Sequence, residues 1–375
     1  MLEVEDRIYL KMQIGNLQIP SGALVPKNIT LHSDAKFLLP NVSMVLSDPT
    51  NLLGQSNNPL LDGTPIQMTL GTSNSDAKTY KFRLFNPRRA VAEAGLDYKL
   101  TGYWDAPLYY FASDTKGYNT SSSAVITDIA GICGLQTKVQ GTTDTQGWYQ
   151  ANTRYGIFCR DVAVHGYIST NSLMVIGVDL SGTLNYLDFN GINFNSAPTL
   201  SFSPQQGTTI FMSQHKILDN FGLNNAIRGY KLQTVEQKLD GPNNHYTDVN
   251  MKIVATTQQI NSNIQSLVSR ARVEYSALGT GTDHALYYQA YHQNTRGYAL
   301  NASGLLALCP NQVTGLDLFS PVNVNLASNY GKQEATTDPE VTYNGAYVVV
   351  AKQIVVMAGN YAEKLWLSRS GINKT

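Results

Sequence analysis

Charge is what this sequence has least of. Only 14% of its 375 residues are Asp, Glu, Lys or Arg, against about 25% in an average soluble domain. The 27 basic and 27 acidic residues cancel to a formal net charge of zero. Phosphate neutralisation needs an excess of Lys and Arg, so primary nucleic-acid binding is excluded and no sequence-specific nucleic-acid partner is expected. No run of like charges occurs, which argues against disordered acidic or basic tails. Cysteine is scarce too. Cys133, Cys159 and Cys309 are an odd number, far apart, with no Cys-x-x-Cys pair. They read as free thiols of a reducing compartment, not as a disulfide framework or a zinc site. No apolar run reaches the roughly 18 residues of a membrane-spanning helix, so no stable membrane insertion is expected. The segment from Met1 to Gly15 mixes polar and apolar residues and lacks a signal-peptide core.

What fills the gap is polar without being ionic: Asn, Gln, Ser, Thr and Gly, with an apolar fraction of 42%. The length suggests two or three domains and is enough to bury a core without disulfides or metal. The 22 Tyr and 11 Phe suit half-buried strands and interfaces, where one end of the side chain is apolar and the other wet.

The first segment alternates with period two. Ile8, Leu10, Met12 and Ile14 point one way, and Gly15-Asn16 ends the run. A second strand is expected over Phe37–Leu46, at an edge or bulge because of Pro40. Asp62-Gly63 signals a turn, and alternation resumes at Ile66/Met68/Leu70, Tyr80/Phe82/Leu84 and Leu96/Tyr98/Leu100. Five short alternating runs suggest a small closed or nearly closed barrel over residues 1–106. The pattern then changes. Ser121 to Ser123 precede apolar residues at three- and four-residue intervals, and Gly134 follows, which predicts a capped helix. A second helix is expected over Asn152–Tyr167, then strands over Leu173–Leu180 and Leu184–Phe189, making residues 107–200 an α+β unit.

Asn190–Gln206 is rich in Asn, Gly, Pro and Ser and reads as a boundary. Beyond it, strands are expected at Thr208–Met212 and Lys252–Thr256, and later over Gly297–Leu308, Gly315–Val324, Tyr347–Ala358 and Tyr361–Arg369. Helices are expected over Gln259–Arg270 and Asp283–Asn294, and a loop over Ser328–Glu340. The fold class is therefore mainly β with α+β insertions: two small antiparallel β-barrels joined by an α+β domain. The second barrel would occupy residues 201–375, with helical insertions at about 257–296.

Motifs that carry chemistry are missing. There is no Walker-type phosphate loop, no His-Glu-x-x-His and no Gly-x-Ser-x-Gly elbow. Gly279-Thr280-Gly281 begins like a dinucleotide fingerprint, but His284 stands where the third glycine belongs. Ser-x-x-Lys occurs at Ser33/Lys36, Ser75/Lys78 and Ser213/Lys216 without the Ser-Asp-Asn and Lys-Thr-Gly partners of a serine acyl-transferase. None of the six His residues has ligand spacing to another His or to Cys. Asp161/His165 and His284/His292 share helix faces, where a helix-face hydrogen bond is the ordinary outcome. Asn28, Asn41, Asn119 and Asn301 begin glycosylation acceptor triplets, as expected by chance in an Asn-rich chain. A glycosidase needs only two placed carboxylates, and nothing singles out a pair. No catalytic, cofactor-binding or metal residue is assigned.

Longer segments resemble the phage tail hub family: the baseplate hub proteins of contractile-tailed phages, the late-control tail proteins and the related cores of type VI secretion spikes. Ser121–Leu135 (SSSAVITDIAGICGL) resembles the helix that follows the first barrel. Thr143–Tyr167 resembles the Trp-centred segment and second helix, and Leu173–Asn190 the hairpin after it. Ala299–Val324 and Tyr343–Asn373 resemble strands of the second barrel, the last pair closing it.

The resemblance implies a non-enzymatic structural hub of a tail tip or baseplate, without cofactors, assembled in the host cytoplasm and carried in the virion. It implies a homotrimeric ring whose six barrels match the sixfold tail tube on one side and the threefold central spike on the other, with DNA passing through. Its partners would be the spike, tail tube and tape-measure proteins and the surrounding baseplate or tail-tip proteins. The alternatives are a virion adhesin or carbohydrate-binding tail protein, in which Tyr and Trp stack on sugars, and a cell-wall hydrolase.

Overall fold

A computed structural model describes residues 8–35, 39–55, 60–92, 95–169, 172–202, 209–218, 232–237, 244–249, 272–276, 287, 290–291, 294–295, 304–326, 343–357 and 359–369. The N-terminal part contributes β1 (Tyr9–Ile14), β2 (Leu17–Ile19), β3 (Val25–Asp34), β4 (Asn41–Asp48), a short α1 (Leu52–Gln55), β5 (Pro65–Gly71), β6 (Lys78–Ala92) and β7 (Gly95–Trp104). Next come α2 (Pro107–Phe111), β8 (Ser113–Thr120), α3 (Ser122–Ile132), β9 (Gln136–Val139), β10 (Gln146–Arg154), α4 (Tyr155–His165), β11 (Met174–Val178) and β12 (Thr183–Asp188). The remainder is β13 (Thr199–Ser201), β14 (Thr209–Phe211), β15 (Gln214–Ile217), β16 (Leu232–Gln237), β17 (Asn244–Val249), β18 (Arg272–Ser276), β19 (Leu305–Pro310), β20 (Pro321–Asn325), β21 (Gly345–Met357) and β22 (Asn360–Ser368).

Fourteen of these strands form one curled sheet. Its first half runs β21-β3-β4-β7-β6-β5-β1-β2, antiparallel throughout. Alternate residues of each strand turn inward. Ile14, Ile29, Leu31, Met44, Met68, Phe82, Leu100 and Ile354 thereby meet in one buried cluster. Gly15 takes φ +58° in the two-residue turn that sets Ile14 opposite Leu17.

The second half gathers β13, β20, β21, β22, β19, β15 and β14. Residues 209–217 bend from one side to the other. Thr209–Phe211 pair with β13, and Gln214–Ile217 with β19. The hydrogen-bonded circuit therefore closes around Leu200, Met212, Leu305, Val322, Tyr347, Leu365 and Leu367. Both halves share β21 and β22. One edge of β21 passes from β20 to β3, while β22 follows the other edge. The two expected barrels are thus not separate sheets: they belong to a single hydrogen-bonded sheet.

The α+β layer packs α3 and α4 between the β8–β10 ribbon and the sheet β11-β12-β9. Ser121 caps α3 by accepting from the Ala124 N–H at 3.3 Å. At its other end Gly134 takes φ +72°, with Leu135 N–H bonded to Ala130 O and Gly134 N–H to Gly131 O. Leu318, Phe319, Val348 and Val350 join this layer to the large sheet by packing with Ala35, Val175 and Phe189. Gly182, at φ +78°, sits against Trp104. A Cβ there would lie 2.3 Å from the indole ring. Gly182→Ala is expected to cost about 2–4 kcal/mol from left-handed strain and overpacking, read as a lower urea midpoint at unchanged slope.

Several expectations are corrected. β3 occupies Val25–Asp34, where no strand was read. Pro26 and the bulge between Pro26 and Asn28 break its alternation. The strand expected at Phe37–Leu46 runs instead over Asn41–Asp48, after Pro40. The helix expected from Asn152 begins at Tyr155, because residues up to Arg154 pair with β8. Gly315–Ser320 is a loop: Asp317 N–H bonds Ser320 Oγ, and β20 starts at Pro321. Inside the insertion expected to be helical, Arg272–Ser276 is a strand beside β16, with Val273 and Tyr275 alternating. The readings at Lys252–Thr256, Gln259–Arg270 and Ser328–Glu340 lie outside the described residues. Of Asp283–Asn294, residues 287, 290, 291 and 294 are described, and they are helical.

Candidate functional site

Where the two halves of the sheet meet, the core is ionic. Lys352 and Glu363 are 2% and 0% exposed, and Lys352 Nζ lies 3.0 Å from Glu363 Oε2. Lys352 also donates to Leu316 O at 2.6 Å. Glu363 accepts from the Thr314 N–H at 3.2 Å, from the Thr314 hydroxyl, and from Tyr361 Oη at 2.8 Å. Asp317 lies close by, its carboxyl pushed up by burial against the pull of Lys352. Burial, then the charges of Glu363 and Asp317, hold the Tyr80 phenol well above its usual range.

The strands explain the placement. Lys352 shares the parity of Ile354 and Val356, and Glu363 that of Tyr361, Leu365 and Leu367. A single cation therefore interrupts the apolar stripe of β21, and a single anion that of β22. That interruption was the available sequence signal, and it went unread. The pair is hydrogen-bonded on both sides and buried between the two cores.

The residues singled out from sequence do not converge. Cys133, Cys159 and Cys309 are buried and free. Burial pushes the Cys133 and Cys309 thiols up to about 12, which leaves them protonated and poorly nucleophilic. His165 Nδ1 contacts the Asp161 carbonyl, not its carboxylate, at 2.7 Å. Its ring stacks on Tyr287 at 4.1 Å and Tyr291 at 5.0 Å. Ser33 is buried, Ser75 Oγ meets Ser73 Oγ, and Ser213 Oγ donates to Leu308 O. Asn28, Asn41 and Asn119 lie in strands β3, β4 and β8. The Gly279–His284 segment, Lys36, His292 and Asn301 lie outside the described residues. Among the described residues no three His, Cys, Asp or Glu side chains group as a metal site, and no helix is long and apolar enough to cross a membrane.

Among the described residues, two open surfaces stand out. A groove of about 420 Å³ runs between β1 and the β2–β3 connection, lined by Ile8, Leu10, Met12, Ile19, Leu24 and Gly359. It marks the seam where the first half of the sheet does not close. The second surface is an aromatic cluster on β6, β7 and α2. Phe85 lies 5.4 Å from Tyr103 and 5.7 Å from Phe111 between ring centroids, and Phe111 is 60% exposed.

No family model and no curated protein sequence matches the chain. Solved structures do. The prophage MuSo2 43 kDa tail protein from Shewanella oneidensis aligns with TM-score 0.60 at 8% identity, covering 98% of this chain and 100% of that one. The tail protein from Neisseria meningitidis MC58 aligns with TM-score 0.56 at 10% identity, covering 97% of each chain. A Francisella PdpA–VgrG complex in its lidded form aligns with TM-score 0.51 at 11% identity, covering 98% of this chain and 54% of that chain. At such identities the likeness is one of fold, and it spans the whole length of both tail proteins. The chain therefore has the fold of these tail proteins, in agreement with the tail-protein resemblance carried by its helices and closing strands.

Proposed function

We propose that the protein is a structural hub of a phage tail tip or baseplate, without enzymatic activity. One observation supports this most: the fold likeness to two tail proteins covers 97% or more of this chain and of each of them. The division we propose is a first barrel-like unit at residues 1–106, the α+β layer at 107–200 and a second barrel-like unit at 201–375 that shares its closing strands with the first. Three copies would form a ring whose six such units face a sixfold tail tube, with a threefold spike on the opposite side. Spike, tube and tape-measure proteins and neighbouring tail-tip proteins would be the partners, in a virion assembled in the host cytoplasm. A neutral, amide- and hydroxyl-rich surface suits a channel that DNA crosses without adhering.

Light scattering on the purified chain tests the reading. The expected mass is three times the 41.1 kDa of one chain, with open rings in negative-stain images and no clearing of host peptidoglycan. Peptidoglycan clearing that disappears on changing one Asp, Glu or His would overturn it.

A further inference from the structure

We propose that the outer face of β6 and β7 is a docking surface for an acidic, partly apolar segment of another protein. This goes beyond the hub reading and does not depend on a ring. Cross-strand register places Arg88 directly opposite Lys99, and both are exposed. Like charges in that position repel. The described acids nearby are engaged elsewhere. Asp97 is taken by Lys27 at 2.6 Å, Asp105 by Arg83, and Asp62 by the Asn86 N–H. Lys81, Arg88 and Lys99 have no ion pair among the described residues. Among the described residues, a chain of zero net charge thus gathers cations without ion-pair partners on one face.

The same face carries the aromatic cluster. Phe111, Leu108 and Tyr103 are 60%, 46% and 39% exposed. β5 pairs with β6 only as far as Arg83, so cations beyond that point would guard an open edge. A guard has no use for exposed aromatic rings beside it. Aromatic and Arg side chains without free acids are the composition of an interface centre. Charge complementarity then requires carboxylates on the partner. The rings pack against one another, Phe85–Tyr103 at 63° and Phe85–Phe111 at 38° between planes. They do not stand apart as separate base-stacking platforms, which favours protein over single-stranded nucleic acid.

Fluorescence anisotropy with three labelled probes tests this: a short synthetic peptide alternating Glu and Leu, polyglutamate of equal length, and an oligothymidylate. The Glu/Leu peptide is expected to bind saturably and more weakly as salt rises. Arg88→Glu with Lys99→Glu, and separately Phe111→Ser, should each weaken it about tenfold or more. Lys216→Glu, an exposed site on β15, should not. Arg88→Glu alone sets opposite charges across the strands, so its melting temperature should be unchanged or raised, which separates lost binding from lost folding. Four outcomes overturn the proposal: no binding of the Glu/Leu peptide, equal binding of polyglutamate, tighter binding of oligothymidylate, or indifference to the variants. A changed scattering mass in the variants also overturns it, because the face would then be a contact between copies.

Discussion

Lys352→Met is expected to lower the unfolding free energy by about 3–5 kcal/mol, because it leaves Glu363 charged and buried without its cation. The Thr314 and Tyr361 donors remain, but hydrogen bonds alone do not replace the lost ion. Lys352→Met combined with Glu363→Gln should recover most of the loss. Gln keeps an acceptor for Thr314 and Tyr361 and removes the charge, and such paired replacement of a buried ion pair is often neutral or better. Urea denaturation of the native chain, both single variants and the double variant closes the cycle. A Lys352→Met cost within the ±0.5 kcal/mol typical of a surface site would mean that the pair is not sealed between the cores.

Ending the chain at Gly345 should abolish cooperative folding. The deletion removes Ile354, Val356 and Tyr361 from the first core. It also removes Tyr347, Val349, Leu365 and Leu367 from the second. Burying one such side chain contributes about 1.5–3 kcal/mol, so the loss rivals the whole net stability of about 5–15 kcal/mol for a domain. It also strips β3 of one of its two partners and exposes a long edge. Near-ultraviolet circular dichroism during heating should show no sharp transition. A soluble truncated chain that still unfolds cooperatively would contradict the shared-strand architecture.

The elements legible in the sequence are those whose information is local. Ser121, the apolar spacing and Gly134 mark α3, and the structure shows the cap and the terminal turn that those residues make. Strands β5, β11, β12, β21 and β22 alternate or run apolar over enough residues to be seen. β8 was missed because Ser-Asp-Thr-Lys-Gly-Tyr-Asn-Thr offers a single aromatic residue. It becomes a strand only by pairing with β10, whose Trp148 bonds to Thr120 O at 2.9 Å. β3 was missed because Pro26 and the bulge between Pro26 and Asn28 break its alternation. Of the open surfaces, the alternation of Ile8, Leu10 and Met12 was read, but not that one side of this strand would border an unfilled groove.

By itself, the sequence determined the chain's chemical class: few charges, thiols expected to be free instead of bridged, no recognisable catalytic motif, and a β-rich pattern interrupted by a capped helix. Each follows from composition or from contacts within one or two turns of chain. Only the tertiary structure decided that the last two strands serve both cores, that Lys352 and Glu363 meet between them, and that Arg88 faces Lys99 beside exposed aromatic rings. The reason is separation along the chain. Ile354 packs with Leu31 and Phe82 across hundreds of residues. Strand register decides such contacts, and register is chosen collectively by every strand of the sheet.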